Sequence, residues 1–149
     1  MSRVPVLATP RRSAEQNAAG LASVIDTVGR MLIAGLFVYS GWFDMATHWP
    51  DAVDVVAGRG LPLPSVVAGA AMTFEIAAPI LLFVPRTRAF ATAALAAYCV
   101  ATALLFHTDW LLNGVDVTDA GFHFFKNLAL AGALLTSLAG ELASQGRSG

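Results

Sequence analysis

Four runs of predominantly apolar residues, at about 24–43, 64–84, 87–106 and 122–138, dominate this chain. A helix needs about 20 such residues to cross the hydrocarbon core of a bilayer. In lipid a backbone must satisfy its own hydrogen bonds, so runs of this length fold as spanning helices. Composition agrees: 56% of the 149 residues are hydrophobic and 13% are charged, whereas soluble domains carry about 25% charged residues. The expected fold is all-α, an integral membrane antiparallel four-helix bundle whose main partner is the lipid bilayer. A disordered tail is expected at 1–22, the four-helix domain at 23–140 and a second tail at 141–149. Pro85-Arg86-Thr87-Arg88 leaves room only for a tight turn between the second and third spans. No apolar segment closely follows Arg11-Arg12, nor does a convincing cleavage site. The pair therefore reads as part of a tail before a signal-anchor helix, not as a twin-arginine signal.

Charge sorts by side. Arg3, Arg11, Arg12, Arg30, Arg86, Arg88 and Arg147 fall on one side of these spans. The other two loops hold Asp44, Asp51, Asp54, Asp109, Asp116 and Asp119 against a single Arg59. The positive-inside rule then places both termini and the second loop in the cytoplasm, in a multi-pass protein of the cytoplasmic membrane. Trp42, Trp49 and Trp110 fall at the opposite boundary, where indoles prefer to sit. Trp49-Pro50-Asp51 starts like a helix and Gly58 can end it, so the first outer loop should hold a short amphipathic helix. A net charge of −1 gives no basic field for nucleic acid. Cys99 is the only cysteine, which leaves no internal disulfide or CxxC pair, and it reads as a small apolar filler. No phosphate loop, nucleophile elbow or zinc-protease motif occurs.

The informative residues are the polar ones inside the spans. Glu75 is the only charge between Leu61 and Val84, and Lys126 is the only lysine in the chain. A charge at the centre of a bilayer helix costs about 2.5–3.5 kcal/mol on insertion scales, so each needs a partner or a task. Glu75 lies about 16 Å and Lys126 about 7.5 Å from the outer ends of their helices. Glu75, Lys126 and Asn127 are expected to form a polar core, coupled directly or through water. Lys126 has Glu75 or Asp44 as its expected partner, or else snorkels to the head groups. Glu75 is open to three readings: a proton carrier, a partner for a bound head group, or an acid bonded to Thr73, Thr102 or Asn127. Pro79 cannot donate to the carbonyl of residue 75, so the second helix should kink there.

His48, His107 and His123 all fall near the outer boundary. With Asp44, Asp109 or Asp119 they are chemically acceptable metal ligands, and haem between His107 and His123 is a chemical option. None sits in a ligand motif of defined spacing, so no metal site is assigned. A quinone head group held among His107, His123 and Lys126, with Phe122, Phe124 and Phe125 as apolar approach, would use the imidazoles as donors and proton carriers. Gly35, Gly41, Gly69 and Gly132 are positions where helices can approach closely.

Several of these segments together resemble the DoxX family of small bacterial membrane proteins. The resemblance runs over about 30–138. Arg30 followed by Phe37-Val38-Tyr39-Ser40-Gly41 is similar to the family's Arg-then-F-x-x-S-G first helix. Gly60-Leu61-Pro62-Leu63-Pro64 resembles its entry to the second helix, and Glu75 stands at the place of its intramembrane acid. Arg88-Ala89, Ala101-Thr102 and His107 resemble its third helix. Phe125-Lys126-Asn127-Leu128 resembles its F-x-K-N-L signature, the most specific piece. One departure stands out: the family commonly has a lysine three residues after the first-helix glycine, and here that place is Asp44. The resemblance implies a four-helix membrane bundle. It also implies kinship with proteins linked to thiosulfate:quinone oxidoreduction or to membrane complexes that manage thiols and oxidative stress.

The functional expectation is an integral membrane subunit of a redox system, binding quinone near the outer face. The chain has no evident electron carrier, so a membrane or soluble redox partner protein must deliver the electrons. No catalytic residue is assigned. The alternatives are a non-catalytic assembly or anchoring subunit, and a small transporter with Glu75 as the proton-coupling acid.

Overall fold

The computed structural model describes residues 10–112 and 117–146. Among them the chain forms helices α1 (Pro10–Tyr39), α2 (Trp49–Gly58), α3 (Pro64–Ala77), α4 (Arg88–Phe106), α5 (Asp109–Leu112) and α6 (Val117–Gln145), with no strand. A π-helical segment, Ser40–Ala46, continues α1, and a 3-10 segment, Ala78–Phe83, continues α3. Four stretches are long and apolar enough to cross a membrane: Ser13–Ala46, Pro64–Phe83, Arg88–Phe106 and Asp119–Ser144. The fold is therefore all-α and multi-pass, with spans where the hydropathy pattern puts them.

The helix ends differ from expectation. α1 covers Pro10–Tyr39, so residues 10–22 are helical where a disordered tail was expected. Ala14, Ala18, Ala19 and Ala22 favour helix there. α6 runs to Gln145 and absorbs much of the expected second tail. Residues 1–9, 113–116 and 147–149, including Arg3, Asp116 and Arg147, lie outside the described residues.

The chain divides into two compact units, Met1–Leu32 and Ile33–Gly149. In the first, Arg30 donates from Nε and Nη2 to both carboxylate oxygens of Asp26, at 2.9 Å each, one helical turn apart. In the second, α4 lies along α6, the 3-10 segment packs on α4, and α3 packs on the π-helical segment and α2. The core between them is made of small residues and a few leucines: Ala91, Leu95, Ala96 and Cys99 of α4, Ala131 and Leu134 of α6, and Leu82. On α4 the buried positions 92, 95, 96, 99 and 103 follow the helical period, and the small side chains among them let the helix axes approach. Phe90, Leu104, Leu135 and Ile80 face outward, as a lipid-facing surface requires.

Two irregularities position the site. α3 gives way to 3-10 geometry beside Pro79, where the missing N–H and the ring clash end the α-helical ladder. The kink expected there is thus a change of helix type. Beyond it, Arg88 Nε donates to the Leu82 carbonyl at 3.0 Å and holds the tight turn into α4. At the other end of the bundle the π-helical segment carries an i to i−5 bond, Thr47 N–H to the Trp42 carbonyl at 3.1 Å. Gly41 in this segment is pressed against α3: a Cβ there would lie 2.9 Å from Ile76 Cγ1 and 3.0 Å from Glu75 Cβ. Gly69 sits against the Trp49 ring. At Gly35 and Gly132 a Cβ would meet nothing within 4 Å, so neither marks a close approach.

Candidate ligand cavity at the α2 end

Glu75 sits on the buried face of α3 and is 8% exposed. The Tyr98 hydroxyl on α4 donates to its Oε1 at 2.7 Å. Its other oxygen, Oε2, is buried and has no hydrogen-bond partner. Tyr98 is held by ring contacts with Phe74, 5.0 Å between centroids, and Phe37, 6.3 Å.

A second polar cluster lies where α4 ends and α6 begins. The His107 and His123 rings stack, with centroids 5.3 Å apart and planes 22° from parallel. Lys126 Nζ lies 3.0 Å from His123 Nδ1. The other ring nitrogen, Nε2, faces Asp119 Oδ1 at 3.5 Å. Burial, together with electrostatic repulsion from the neighbouring His123, Lys126 and Arg59, lowers the pKa of His107 below its ordinary value, while Asp119 opposes this.

The clusters open into one cavity of about 690 Å³, within the range of small-molecule sites. Glu75, Tyr98, His107, His123, Lys126 and Asn127 supply its polar lining, and Ser40, Asp44 and Asp51 add to it. Its walls are otherwise apolar, from Phe37, Val55, Val56, Leu61, Leu105 and Leu130. The short helix α2 is thus a wall of the cavity. A clip holds the end of α2 in place: Arg59 Nη1 donates to Asp109 Oδ1 at 2.6 Å, and Nη2 donates to the Phe106 carbonyl at 2.7 Å and to Asp109 Oδ2. The hydrogen bonds from Arg59 hold the Asp109 carboxyl below its ordinary range, and the same pairing raises Arg59.

Two expected groupings fall differently in the structure. The first is Glu75 with Lys126, expected to couple directly or through water and Asn127: the acid is bonded by Tyr98 of α4 and the lysine lies against His123 of its own helix, while both face the one cavity. Thr73 bonds the Gly69 carbonyl and Thr102 bonds the α4 backbone, so neither serves Glu75. The second concerns the aromatic approach. Phe122 and Phe125 are 64% and 60% exposed and do not line the cavity. Residues 123, 126, 127 and 130 share one helical face, and 122 and 125 fall on its flank. Phe122 instead meets the edge of His123, and Phe125 and Phe124 pack on Trp110. His48 bonds the Phe43 carbonyl at 2.8 Å and stands apart from the cavity. Among the described residues no group of three or more His, Cys, Asp or Glu side chains is gathered to hold a metal.

Sequence reasoning missed Tyr98 as the partner of Glu75. Its signal was a phenol on the 95, 98, 99, 102 stripe of an apolar helix. It also missed the Arg59–Asp109 clip, whose signal was one arginine in two otherwise acidic loops.

The DoxX family model matches residues 25–108. Inner membrane protein YphA of Escherichia coli (strain K12) is 29% identical over 116 residues, covering 75% of this chain and 79% of that protein. No solved structure matches the chain.

Proposed function

The chain belongs to the DoxX family, and we propose that it is a multi-pass inner-membrane subunit of a redox system that binds a quinone, or a similar apolar-tailed redox molecule, in this cavity. The observation that carries the reading is the cavity itself. It joins apolar walls to donors, Lys126 and the imidazoles, at one cluster and to an acid with a free oxygen at the other. A quinone ring needs an apolar enclosure and donors for its carbonyl oxygens. Its reduction takes up two protons along with two electrons, and His107 and His123 offer a path for protons between the ring and water. The electrons come from a partner protein. The relative's name as an inner membrane protein supports the location. The arginine asymmetry supports cytoplasmic termini, with the cavity in the outer half.

The test is titration of purified protein with decylubiquinone, read as thermal protection. Protection is expected, and His123→Ala combined with Lys126→Met should abolish it. If the protein shows no binding even when purified with the products of neighbouring genes, the anchoring reading becomes the better one. A cysteine at Asp54, exposed on α2, should label with an impermeant reagent on intact cells, and one at Ser144 should not. The opposite pattern would reverse the sides.

A further inference from the structure

α2 is a wall of the cavity that is seated on one side. It packs on α3 and on the π-helical segment, and its Asp51, Ala52, Val55 and Val56 line the cavity. Toward α4 and α6, which carry the facing wall, it has no comparable helix packing among the described residues. The link across is the Arg59 side chain, which donates to the Phe106 carbonyl at 2.7 Å and to the Asp109 carboxylate. Both side chains of that ion pair are partly open to water, at 25% and 32% exposure. Of the two valines, Val56 is buried and Val55 is 54% exposed, so the wall is not sealed along its length.

The two ends of α2 allow it to turn. At its start no side chain caps the first turn, and the Trp49 ring rests against Gly69 of α3, where a Cβ would lie 3.5 Å from it. Past its end Gly60 has a φ of 70°, a conformation that glycine adopts without strain. Pro62 and Pro64 stiffen the rest of the connector, and Leu63 between them is held left-handed at a φ of 50°. Rotation is therefore concentrated at Gly60, and Arg59 braces the residue beside that hinge. The Arg59 partners lie next to the cavity in turn, since Phe106 and His107 both line it.

We propose that α2 is a hinged lid, latched by Arg59 on Asp109 and the Phe106 carbonyl, and that its opening admits water-soluble molecules to the polar lining of the cavity. The proposal goes beyond the quinone reading: a quinone partitions into lipid, and the lid governs entry from water. Rolling of α2 about its ends carries Val55 and Val56 out of the cavity wall and leaves α3 and the π-helical segment in place.

Cys99 reports on the opening. It is the only cysteine in the chain, it is buried, and it lines the cavity. The experiment treats the purified protein in lipid nanodiscs with trimethylammonioethyl methanethiosulfonate, a water-soluble cation that does not cross bilayers, and follows modification by intact mass. Where opening and closing are fast against modification, the rate follows the population of the open form. The wild type should react slowly. Arg59→Met removes the latch and should speed the reaction about 10-fold or more, a factor of 10 being about 1.4 kcal/mol in the opening equilibrium. Asp109→Asn should also speed it, and keeps the test open if Arg59→Met fails to fold. The double variant should react no faster than the faster single, because both changes break one latch. Leu134→Ala, which truncates a core residue of α6, controls for general loosening and should stay near the wild-type rate. Modification as fast in the wild type as in the latch variants, whether all are fast or all slow, would overturn the lid. A rise in Leu134→Ala equal to that in Arg59→Met would overturn it as well, since loosening of the whole bundle would then explain both. No readout here involves a quinone, so failure of the lid leaves the quinone reading to its own test.

Discussion

Gly41→Ala is the smallest change that tests how the cavity is built. The added Cβ would meet Ile76 Cγ1 at 2.9 Å, Glu75 Cβ at 3.0 Å and the Met72 carbonyl oxygen at 3.3 Å. Carbon atoms in good contact sit about 3.5–4.0 Å apart. All three atoms lie on or next to the α3 backbone, and none is the far end of a flexible side chain, so relief requires the π-helical segment and α3 to separate by several tenths of an ångström. Overpacking of this kind costs about 1–3 kcal/mol. Gly132→Ala is the matched control: its Cβ meets nothing within 4 Å, and alanine is favoured over glycine in a helix by about 0.8–1.0 kcal/mol. Thermal unfolding of both variants in one detergent should show Gly41→Ala below the wild type and Gly132→Ala level with it or above. Since the clash bears on Glu75 itself, Gly41→Ala should also weaken binding of any ligand that contacts the carboxyl. Adding Ile76→Ala removes the closest atom, so the double variant should lose less than the sum of the singles. A Gly41→Ala protein as stable as Gly132→Ala would show that the two elements are not in the tight contact described.

Three further outcomes are expected. His107 has its pKa held below 6.5 by burial and by electrostatic repulsion from its neighbours, so the folded state binds fewer protons there than the unfolded state. Stability should therefore fall as pH drops from above 6.5 toward the depressed value, and His107→Gln should flatten that part of the pH profile of the thermal midpoint. Asp109 is held below 3.8 by Arg59, so its contribution is present above 3.8 and is lost as pH falls through the lowered value. Amide exchange in α2 should stay slow at neutral pH in the wild type and become faster in Arg59→Met; unchanged exchange would show that the clip does not hold α2. Double-mutant cycles should find coupling between Glu75→Gln and Tyr98→Phe larger than between Glu75→Gln and Lys126→Met, and the reverse order would restore the direct acid–lysine pair.

How much of this was legible differs by kind of information. The spans were legible because about 20 apolar residues have one solution in lipid, and α2 was legible because Trp49-Pro50 and Gly58 are local start and stop signals. The ends of α1 and α6 were not. Ser13 to Ala22 lacks an apolar stripe, and only helix propensity, a weak signal, favours what the structure shows. The π-helical segment was equally hidden, since nothing in Ser40-Gly41-Trp42 names an i to i−5 bond, although Gly41 itself was among the expected close approaches. The candidate site residues could be named by type, but not their partners. Glu75 and Lys126 stand out in the sequence as costly in lipid. Their partners, however, are set by which faces of α3, α4 and α6 meet, and a phenol answers an acid as well as an amine does.

The aromatic residues show the same limit from the other side. Phe122, His123, Phe124, Phe125 and Lys126 are neighbours in sequence, and that adjacency suggests a ring site. A helix turns about 100° per residue, so only every third or fourth of them shares a face. The face that carries His123, Lys126, Asn127 and Leu130 points into the cavity, and Phe122 and Phe125 point out of it. The apolar enclosure a ring would need is supplied from elsewhere, by Phe37 on the first span, Val55 and Val56 on α2 and Leu105 on α4. Those residues are far apart in sequence and carry no motif. The cavity depends on the loop helix that Arg59 and Asp109 hold against the bundle. That makes the clip part of the site's construction even though neither of its residues lines the cavity.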